Sequence, residues 1–289
     1  MISRRCYYFQ ARDKVLILGK KTAVMGIVNV TPDSFSGDGQ LKGKNFVRLA
    51  LDTAVQMADS GADIIDIGGE STRPGSSKVS VKDESRRVVP VIEALVKERN
   101  GILVSVDTSK VSVAKDALKA GAHIVNVVQS NNVSCTLFEA VRNYSAGIVL
   151  MHMRGSPRTM QRKTGYDQFI PDIMSELDNI VKKALASGLN RNNIIVDPGI
   201  GFAKTASDNF LLLRELGSLK AFGLPILVGP SRKSFIGKLL NLKPSERLAG
   251  TLAAVVASVL QGAHIVRVHD VTQVKQAVSV TDAILLGGK

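Results

Sequence analysis

Short apolar segments alternate with longer amphipathic segments along the whole chain. The apolar segments are rich in valine and isoleucine and lack strict polar–apolar alternation, so they predict strands that are covered on both faces. Eight strands are predicted, at Ala23–Val30, Asp63–Ile67, Ile102–Val106, His123–Val128, Gly147–Met151, Asn193–Val196, Ile226–Val228 and His264–Val268.

The amphipathic segments between these strands predict helices, because their apolar residues recur at helical spacing. Several of these segments end at a glycine, such as Gly61 and Gly121, as helices often do. The clearest predicted helices are Asn45–Ser60, Val81–Glu98, Lys110–Ala120, Asp167–Ser187 and Ser245–Gln261.

Eight strands that alternate with helices over roughly 250 residues predict an α/β fold, the (β/α)₈ TIM barrel. A doubly wound open sheet is the alternative that the pattern leaves open. We find no Pro/Ser-rich linker, so residues 1–289 are expected to form a single domain. Residues 1–20 are expected to contain a short β-hairpin, and residues 21–289 the barrel.

One sequence pattern occurs three times, as GADIIDIGG from Gly61, GAHIVNVVQ from Gly121 and GAHIVRVHD from Gly262. Each copy places a polar residue between aliphatic neighbours, and these residues are Asp66, Asn126 and Arg267. Burying a polar group is costly unless a ligand or a neighbour satisfies it. The repeated pattern therefore predicts polar groups at equivalent positions on three strands.

The composition indicates a folded intracellular protein. The chain has 289 residues, of which 45% are hydrophobic and 22% charged, which is typical of globular proteins. Cys6 and Cys135 lie far apart without metal-ligand spacing, so free thiols in a reducing cytoplasm are expected. No apolar leader follows Arg4 and Arg5, and Leu248–Leu260 is shorter than the roughly 20 residues of a membrane span. We interpret this last segment as a buried helix and expect no membrane contact.

The net charge is +13, from 38 basic and 25 acidic residues. A basic surplus suits nucleic acids, anionic membranes or small anionic substrates. Here the basic residues are scattered, aromatic residues make up 4% of the chain, and tryptophan is absent. These features argue against nucleic-acid binding, which relies on aromatic stacking platforms for single strands.

Polar residues follow almost every predicted strand, whereas the strand starts are ordinary turn sequence. In TIM-barrel enzymes the active site lies at the carboxyl ends of the strands. The asymmetry therefore predicts an enzyme. The residues at these ends are Asn29, Asp107, Asn126, His152, Asp197, Lys233, Arg267 and His269.

These residue types indicate the chemistry of the ligand. Asp107, Asn126 and Asp197 offer acceptors that match a flat heterocycle with several N–H donors, such as an aminopyrimidinone. Lys233, Arg267 and His269 supply positive charge suited to phosphate or carboxylate oxygens. Two glycine-rich segments, residues 29–40 and 68–77, follow the first two strands and are expected to act as lids.

In order, the strand-end motifs resemble those of the dihydropteroate synthase family. The resemblance covers residues 25–271 and is highly specific, because NVTPDSF, ESTRPG and SRKSF rarely occur together by chance. The motifs are VMGIVNVTPDSFSGDG, DIIDIGGESTRPGS, SVDTSK, LMHMRG, IIVDPGIGFAKT, LVGPSRKSFIG and RVHDV.

The resemblance implies a role for each matching position. The Mg²⁺-linked residue of the family falls on Asn29. The implied catalytic residues are Asp33, Asp107, Lys233, Arg267 and His269. The implied pterin contacts are Asp107, Asn126, Asp197 and Lys233, with Arg267 covering the ring. The implied pyrophosphate contacts are Thr72, Arg267 and His269, and those to p-aminobenzoate are Phe35, Pro74, Lys233 and Ser234. Arg73 and Phe202 are implied as further substrate-binding residues.

The implied activity is a cytoplasmic transferase of folate biosynthesis, which joins a dihydropterin pyrophosphate to p-aminobenzoate. Mg²⁺, a homodimer and susceptibility to sulfonamides follow from the same resemblance. Rupture of the bond to pyrophosphate places positive charge on a methylene carbon, which carboxylates could stabilise while cationic groups stabilise the leaving oxygens. The neutral aniline can then attack without a strong general base.

One departure leaves alternatives open. Where the family has Asn-Asp at the end of the fourth strand, this chain has Asn126-Val127. Val127 should point to the opposite side of the strand from Asn126, so we expect a change in packing with activity retained. The alternatives are a pterin-dependent methyltransferase, which would not need the TRPG and SRKSF loops, and a non-catalytic pterin-binding paralogue.

Overall fold

The computed structural model describes residues 4–31, 45–71, 76 and 78–287. An antiparallel hairpin comes first, with β1 at Tyr7–Ala11 and β2 at Lys14–Leu18. The strands that follow are β3 (Ala23–Asn29), β4 (Ile64–Gly68), β5 (Leu103–Asp107), β6 (Ile124–Val127), β7 (Gly147–Met151), β8 (Ile194–Asp197), β9 (Leu227–Val228) and β10 (Ile265–Val268).

Helices separate these strands throughout the described part of the chain. Their bounds are α1 (Asn45–Asp59), α2 (Val81–Glu98), α3 (Val111–Lys119), α4 (Cys135–Asn143), α5 (Phe169–Ala186), α6 (Ala206–Arg214), α7 (Ser234–Leu240), α8 (Leu248–Leu260) and α9 (Val271–Leu285). Short 3₁₀ turns add local structure in the connections, for example at Leu216–Phe222.

The eight strands after the hairpin form one parallel sheet in the order β8-β7-β6-β5-β4-β3-β10-β9. The two ends of this sheet meet, because Val196 bridges Ile226 in parallel and its N–H donates a 3.0 Å hydrogen bond to the Pro225 carbonyl. The sheet is therefore closed into the predicted (β/α)₈ barrel, and the alternative of an open doubly wound sheet is wrong.

Strand residues divide between the two faces of the barrel wall. Outward side chains such as Val104, Val106 and Val127 are fully buried against the helices in the main core. Val127 thus points away from Asn126, as predicted, and its side chain replaces no group inside the barrel. The lower interior is filled by a second apolar cluster that includes Met25, Ile64, Leu103, Ile124, Val149, Ile195, Leu227 and Ile265.

The N-terminal hairpin closes the lower end of the barrel. Phe9, Ala11 and Leu18 belong to the same apolar cluster as the inward residues of the strands. Gly147 admits the Phe9 ring, because a Cβ at this glycine would lie 2.3 Å from Phe9 Cζ. This glycine is thus required by close packing.

One prediction about the helices is wrong in part. We expected Leu248–Leu260 to be a buried helix, but α8 buries one face only. Its buried residues are Thr251, Ala254, Val255, Ser258 and Val259, whereas Leu260 is 37% exposed. The segment is apolar on both sides because small residues such as Ala253 and Ala257 occupy the outer face. Within the described ranges, no helix has the length and apolarity needed to cross a membrane.

Candidate active site

The three polar residues of the repeated sequence pattern meet inside the barrel, above the apolar layer. Asn126 Nδ2 donates a 2.9 Å hydrogen bond to Asp66 Oδ2, and Arg267 Nε donates to the same oxygen at 2.6 Å. The side chain of Asp66 is fully buried, and its Oδ1 has no hydrogen-bond partner among the described residues. The predicted cost of burial is therefore offset by mutual pairing, with one acceptor left over.

Arg267 also connects this layer to the mouth. Its Nη2 donates a 2.8 Å hydrogen bond to Asp107 Oδ2, so one guanidinium joins two carboxylates on neighbouring strands. Asn29 lies beside Asp107: a Cβ at the intervening Gly68 would be 3.8 Å from Asp107 Oδ2 and 3.9 Å from Asn29 Oδ1. Both oxygen-bearing side chains thus lie within contact distance of the same point beside Gly68.

Asp107 is a carboxylate in an environment that resists its ionisation. Burial raises the pKa of Asp107 to about 7, with Asp66 and Glu84 acting in the same direction and Arg267 and Lys233 against it. Burial therefore favours the protonated form of this carboxyl group more than in an exposed aspartate. Pairing with a ligand that donates hydrogen bonds would favour the ionised form.

Asp197 at the end of β8 has similar properties. Burial raises the pKa of Asp197 to about 6, opposed by the backbone N–H of Gly199 and by the charges of Lys233, Arg267 and Lys204. The Gly199 N–H donates a 2.7 Å hydrogen bond to Asp197 Oδ1. The second oxygen is the atom through which Asp197 can accept a hydrogen bond from a ligand.

Lys233 lies in the loop between β9 and α7 and faces both carboxylates. Its Nζ is 3.9 Å from the centroid of the Phe202 ring, a cation–π contact. A Cβ at Gly201 would be 2.9 Å from Lys233 Cδ, so this glycine makes room for the lysine stem. Burial lowers the pKa of Lys233 to about 8, helped by Arg267 and opposed by Asp197 and Asp107.

The loop that carries Lys233 is held at its base. Arg232 has a left-handed backbone conformation, with φ of 55°. Its guanidinium forms an ion pair with Asp270, and its N–H donates a 3.0 Å hydrogen bond to Thr251 Oγ1. Contacts from α8 and from the residue before α9 thus fix this strained turn and aim the next residue, Lys233, at the mouth.

His269 differs from its predicted role in one respect. The backbone N–H of His269 donates a 3.2 Å hydrogen bond to Ser231 Oγ, and the ring nitrogen Nδ1 lies 3.0 Å from the same hydroxyl. Burial lowers the pKa of His269 to about 4, and the charges of Arg267 and Arg232 act in the same direction. His269 is therefore neutral at pH 7 in the free protein, so the cationic charge that we predicted at this rim comes from Lys233 and Arg267.

A second set of charged groups surrounds the base of the segment after β4. Lys110 forms ion pairs with Glu70 and Glu84 at once, and Glu84 is almost fully buried. The Val79 N–H donates to Glu70 Oε1 at 3.2 Å. These contacts fix the stem of the glycine-rich segment that the sequence places over the mouth.

Five of the predicted site residues lie outside the residues that the structure describes. Ser234 is described and begins α7, where it is exposed beside Lys233. The predictions for the other five remain predictions. They are Asp33, Phe35, Thr72, Arg73 and Pro74.

The structure adds one buried residue that the sequence did not assign to the site. Lys204 is 3% exposed, and its Nζ lies 3.1 Å from Nδ1 of His152. His152, one of the predicted strand-end residues, is fully buried and packs inside the protein. No sequence signal distinguished Lys204 from a surface lysine of the GFAKT segment.

The described residues contain no group of three or more His, Cys, Asp or Glu side chains that could hold a metal ion alone. The oxygen-bearing side chains at the mouth are instead Asn29, Asp107 and Asp197, at the ends of separate strands. A divalent cation here would need oxygens from a bound substrate, which is how Mg²⁺ is often held at phosphate sites.

Comparison with known proteins identifies one family. The family model of the pterin binding enzymes matches residues 25–269. The dihydropteroate synthase of Synechocystis is 47% identical over 267 residues, which cover 92% of this chain and 91% of that protein.

Solved structures agree with this match. A crystal structure of the Yersinia pestis dihydropteroate synthase with a sulfonamide drug has a TM-score of 0.89 at 42% identity, and the match covers 96% of this chain and 99% of that one. The dihydropteroate synthase of Clostridium difficile, solved in the presence of pteroic acid, has a TM-score of 0.86 at 42% identity. That match covers 92% of this chain and 98% of the other.

Proposed function

The chain belongs to the dihydropteroate synthase family, and from this membership we propose how the residues at its barrel mouth perform the reaction. The protein is a transferase of folate biosynthesis. It condenses 6-hydroxymethyl-7,8-dihydropterin pyrophosphate with p-aminobenzoate to give 7,8-dihydropteroate and pyrophosphate. The assignment of individual residues to this reaction is our proposal.

The pterin ring is bound by the acceptors inside the mouth. Asp107 and Asp197 are the last residues of their strands and Asn126 is the next-to-last of its strand, and they present carboxylate and amide oxygens to one space. An aminopyrimidinone ring carries N–H donors along one edge, which matches such a set. The observation that carries this proposal is the hydrogen-bonded group of Asp66, Asn126, Asp107 and Arg267.

Buried charge supports the cleavage step. As the C–O bond to pyrophosphate breaks, the methylene carbon of the pterin becomes positive and the leaving oxygens become negative. Asp107 and Asp197 stabilise the carbon electrostatically in a buried site, where such interactions are strong. Arg267 and Lys233 stabilise the leaving group, and neutral His269 can donate a hydrogen bond to it.

Magnesium fits this arrangement through Asn29. Its amide oxygen is a hard ligand, and a Cβ at Gly68 would be within 3.9 Å of both this oxygen and Asp107 Oδ2. When bound, Mg²⁺ would neutralise charge that develops on the pyrophosphate oxygens. The oxygens of the substrate would complete its coordination, because Asn29 supplies one ligand only.

p-Aminobenzoate is bound at the outer part of the mouth in this proposal. Lys233 and Ser234 are the described residues there, and the ammonium of Lys233 can pair with the benzoate carboxylate. Phe35, Pro74, Thr72, Arg73 and Asp33 are the further candidates carried by the family motifs. The aniline nitrogen then attacks the methylene as a neutral amine, with its gain in rate coming from orientation.

A test of the whole proposal measures pyrophosphate release by the purified protein. Release that requires both p-aminobenzoate and Mg²⁺ is expected. Tight binding of the pterin without release would favour the non-catalytic paralogue. Methyl transfer to a corrinoid acceptor in place of release would favour the methyltransferase.

We also propose that residues 1–289 form one domain, that the protein works in the cytoplasm, and that two copies form a homodimer. The free thiols of Cys6 and Cys135 are both exposed, which suits a reducing compartment. The outer face of α8 is apolar and continues past Leu239 of α7, which is 67% exposed. Size-exclusion chromatography with light scattering would distinguish a dimer from a monomer.

A further inference from the structure

A buried lysine, Lys204, lies close to Asp197, in the loop that follows β8. Its Nζ is 3.1 Å from His152 Nδ1, and the His152 backbone N–H donates a 2.9 Å hydrogen bond to the Asp197 carbonyl. The side chain of Lys204 turns inward, so that the residue is 3% exposed. Within the described ranges, no carboxylate lies within ion-pair distance of its Nζ. Burial of an ammonium without a carboxylate partner is costly, so the retention of a lysine here calls for a physical reason.

The hydrogen bonds of Lys204 hold the segment that carries Phe202. Its Nζ donates a 3.0 Å hydrogen bond to the Phe202 carbonyl. The next carbonyl, of Ala203, accepts a 3.0 Å hydrogen bond from the Tyr166 hydroxyl, and Ala203 has a left-handed φ of 51°. Two side chains thus fix a strained segment whose Phe202 ring contacts Lys233.

The third partner of Lys204 defines a chain of hydrogen bonds that leads outward. Lys204 Nζ lies 3.1 Å from His152 Nδ1, and His152 Nε2 lies 3.0 Å from Glu176 Oε2. An ammonium can only donate, so Nδ1 is the acceptor and Nε2 carries the proton that is donated to Glu176. Burial lowers the pKa of His152 to about 4, so the imidazole is neutral at pH 7.

Glu176 is a firm anion at the end of this chain. Its carboxylate is paired with Arg154, whose Nε donates at 2.7 Å. Burial acts to raise the pKa of Glu176, but the hydrogen bonds from His152 and Arg154 outweigh it and lower the pKa to about 2. Glu176 thus favours the protonated form of Lys204, to which it is linked by hydrogen bonds through neutral His152.

The charges that face Lys204 and Asp197 come from every element around them. Burial lowers the pKa of Lys204 to about 7, with Lys233 acting in the same direction, whereas Asp197, Glu176 and Asp208 oppose the shift. Asp197 in turn faces Lys233, Arg267 and Lys204. We assign Lys233 and Arg267 to the ligands at the mouth, whereas Lys204 is 3% exposed and has no ligand assigned to it.

We propose that Lys204 is a positioning residue for the pterin, which holds Phe202 against Lys233 and, as a nearby buried cation, keeps Asp197 ionised. This inference rests on the proposed role of Asp197 as a pterin acceptor. A nearby cation that forms no ion pair with the carboxylate stabilises its charge without occupying the oxygen that faces the ligand. Glu176 and His152 favour the protonated form of this cation.

The test compares wild-type protein with Lys204→Met, which keeps the length of the side chain and removes its charge. The affinity for 6-hydroxymethylpterin is measured by fluorescence titration between pH 5 and pH 9. Loss of the cation should raise the pKa of Asp197 by about one unit, which moves its contribution to the affinity profile to higher pH. At pH 6, near the wild-type pKa of Asp197, the affinity should therefore be about fivefold below that of the wild type.

Lys163→Met is the matched control, because it removes one positive charge from an exposed lysine after β7. It should leave the pH midpoint unchanged. A Lys204→Met protein whose affinity falls equally at all pH values would show a purely structural role and overturn the proposal. An unchanged affinity would overturn it as well.

Glu176→Gln covers the case in which Lys204→Met does not fold. Glutamine keeps the shape and the hydrogen bond from His152 but removes the charge that favours protonated Lys204. The pH midpoint should move in the same direction by a smaller amount, and an unmoved midpoint would contradict the proposal. Failure of the wild type to bind the pterin would instead count against the pterin site itself.

Discussion

Arg267 reaches across the barrel mouth to Asp107, to which its Nη2 donates a hydrogen bond of 2.8 Å. In the free protein this pair occupies one of the oxygens that we assign to the pterin. The ligand must therefore approach the second oxygen of Asp107 or displace the guanidinium towards the leaving group. Arg267 can thus pair with Asp107 in the free protein and with the negative pyrophosphate when the substrate is bound.

Replacement of Asp107 by asparagine should weaken pterin binding about tenfold to a hundredfold at pH 8. The amide keeps the size of the side chain but loses a charge-assisted hydrogen bond, which is worth about 1.5–3 kcal/mol. Isothermal titration with the pterin measures the effect. Asp116→Asn on the exposed face of α3 is the matched control, and equal affinities for Asp107→Asn and the control would place the pterin elsewhere.

The affinity of the wild-type protein for the pterin should depend on pH. The folded pKa is about 7 for Asp107 and about 6 for Asp197, and both must be ionised to accept hydrogen bonds. Affinity should therefore rise as pH increases from 5 to 7. Above pH 8, Lys233 loses its proton, since its pKa is about 8, and binding should weaken again.

Fluorescence titration of the pterin at fixed ionic strength would record this bell-shaped profile. In Asp197→Asn, the rise in pterin affinity between pH 5 and pH 7 should follow the ionisation of Asp107 alone. A profile that is flat between pH 5 and pH 8 in the wild type would mean that neither carboxylate contacts the ligand.

Asp197→Asn should stabilise the free protein while it weakens pterin binding. A pKa raised from 3.8 to about 6 means that the folded state disfavours the ionised group. The resulting cost is absent below about pH 4 and is fully present above pH 6, where it is on the order of 1–3 kcal/mol. Asparagine avoids this cost and can still accept from the Gly199 N–H.

Thermal unfolding measures this effect. At pH 7.5 the variant should unfold a few degrees above the wild type, and at pH 4 the two should unfold together. A lower unfolding temperature at pH 7.5 would show that the charge of Asp197 stabilises the fold through its cationic neighbours.

Gly147→Ala should destabilise the protein by about 1–3 kcal/mol, because the new methyl group would overlap the Phe9 ring. Denaturant unfolding measures the change. The matched variant is Gly147→Ala combined with Phe9→Leu, in which the smaller side chain leaves room for the methyl group. The double variant should lose less stability than the sum of its single changes, and strict additivity would contradict the contact.

Much of the architecture could be predicted from the chain because the strands are short valine- and isoleucine-rich segments covered on both faces. The predicted strands agree with β3 to β10 to within about one residue at each end. Four of the helices described above received no predicted bounds. Cys135–Asn143 and Ala206–Arg214 have 9 residues each and Ser234–Leu240 has 7, so each offers few turns of periodic pattern for a prediction to use. Length does not explain the fourth, Val271–Leu285, which has 15 residues.

The residues of the candidate site likewise divide into those that the sequence could predict and those that it could not. The strand-end residues Asp107, Asn126 and Arg267 could be predicted because they interrupt apolar runs. Lys204 and the neutral state of His269 could not, because both depend on which groups surround them after folding. A lysine two residues after Phe202 carries no local signal of burial, and the charge of a histidine is set by desolvation and nearby cations.

The hairpin at the lower end of the barrel restricts the route by which substrates enter and the product leaves. Phe9 and Leu18 close that end of the barrel, so substrates and product must all pass through the mouth at the carboxyl ends of the strands. A reactant that sits deeper must arrive before its co-substrate, and the joined product must depart along the route by which its two halves came in.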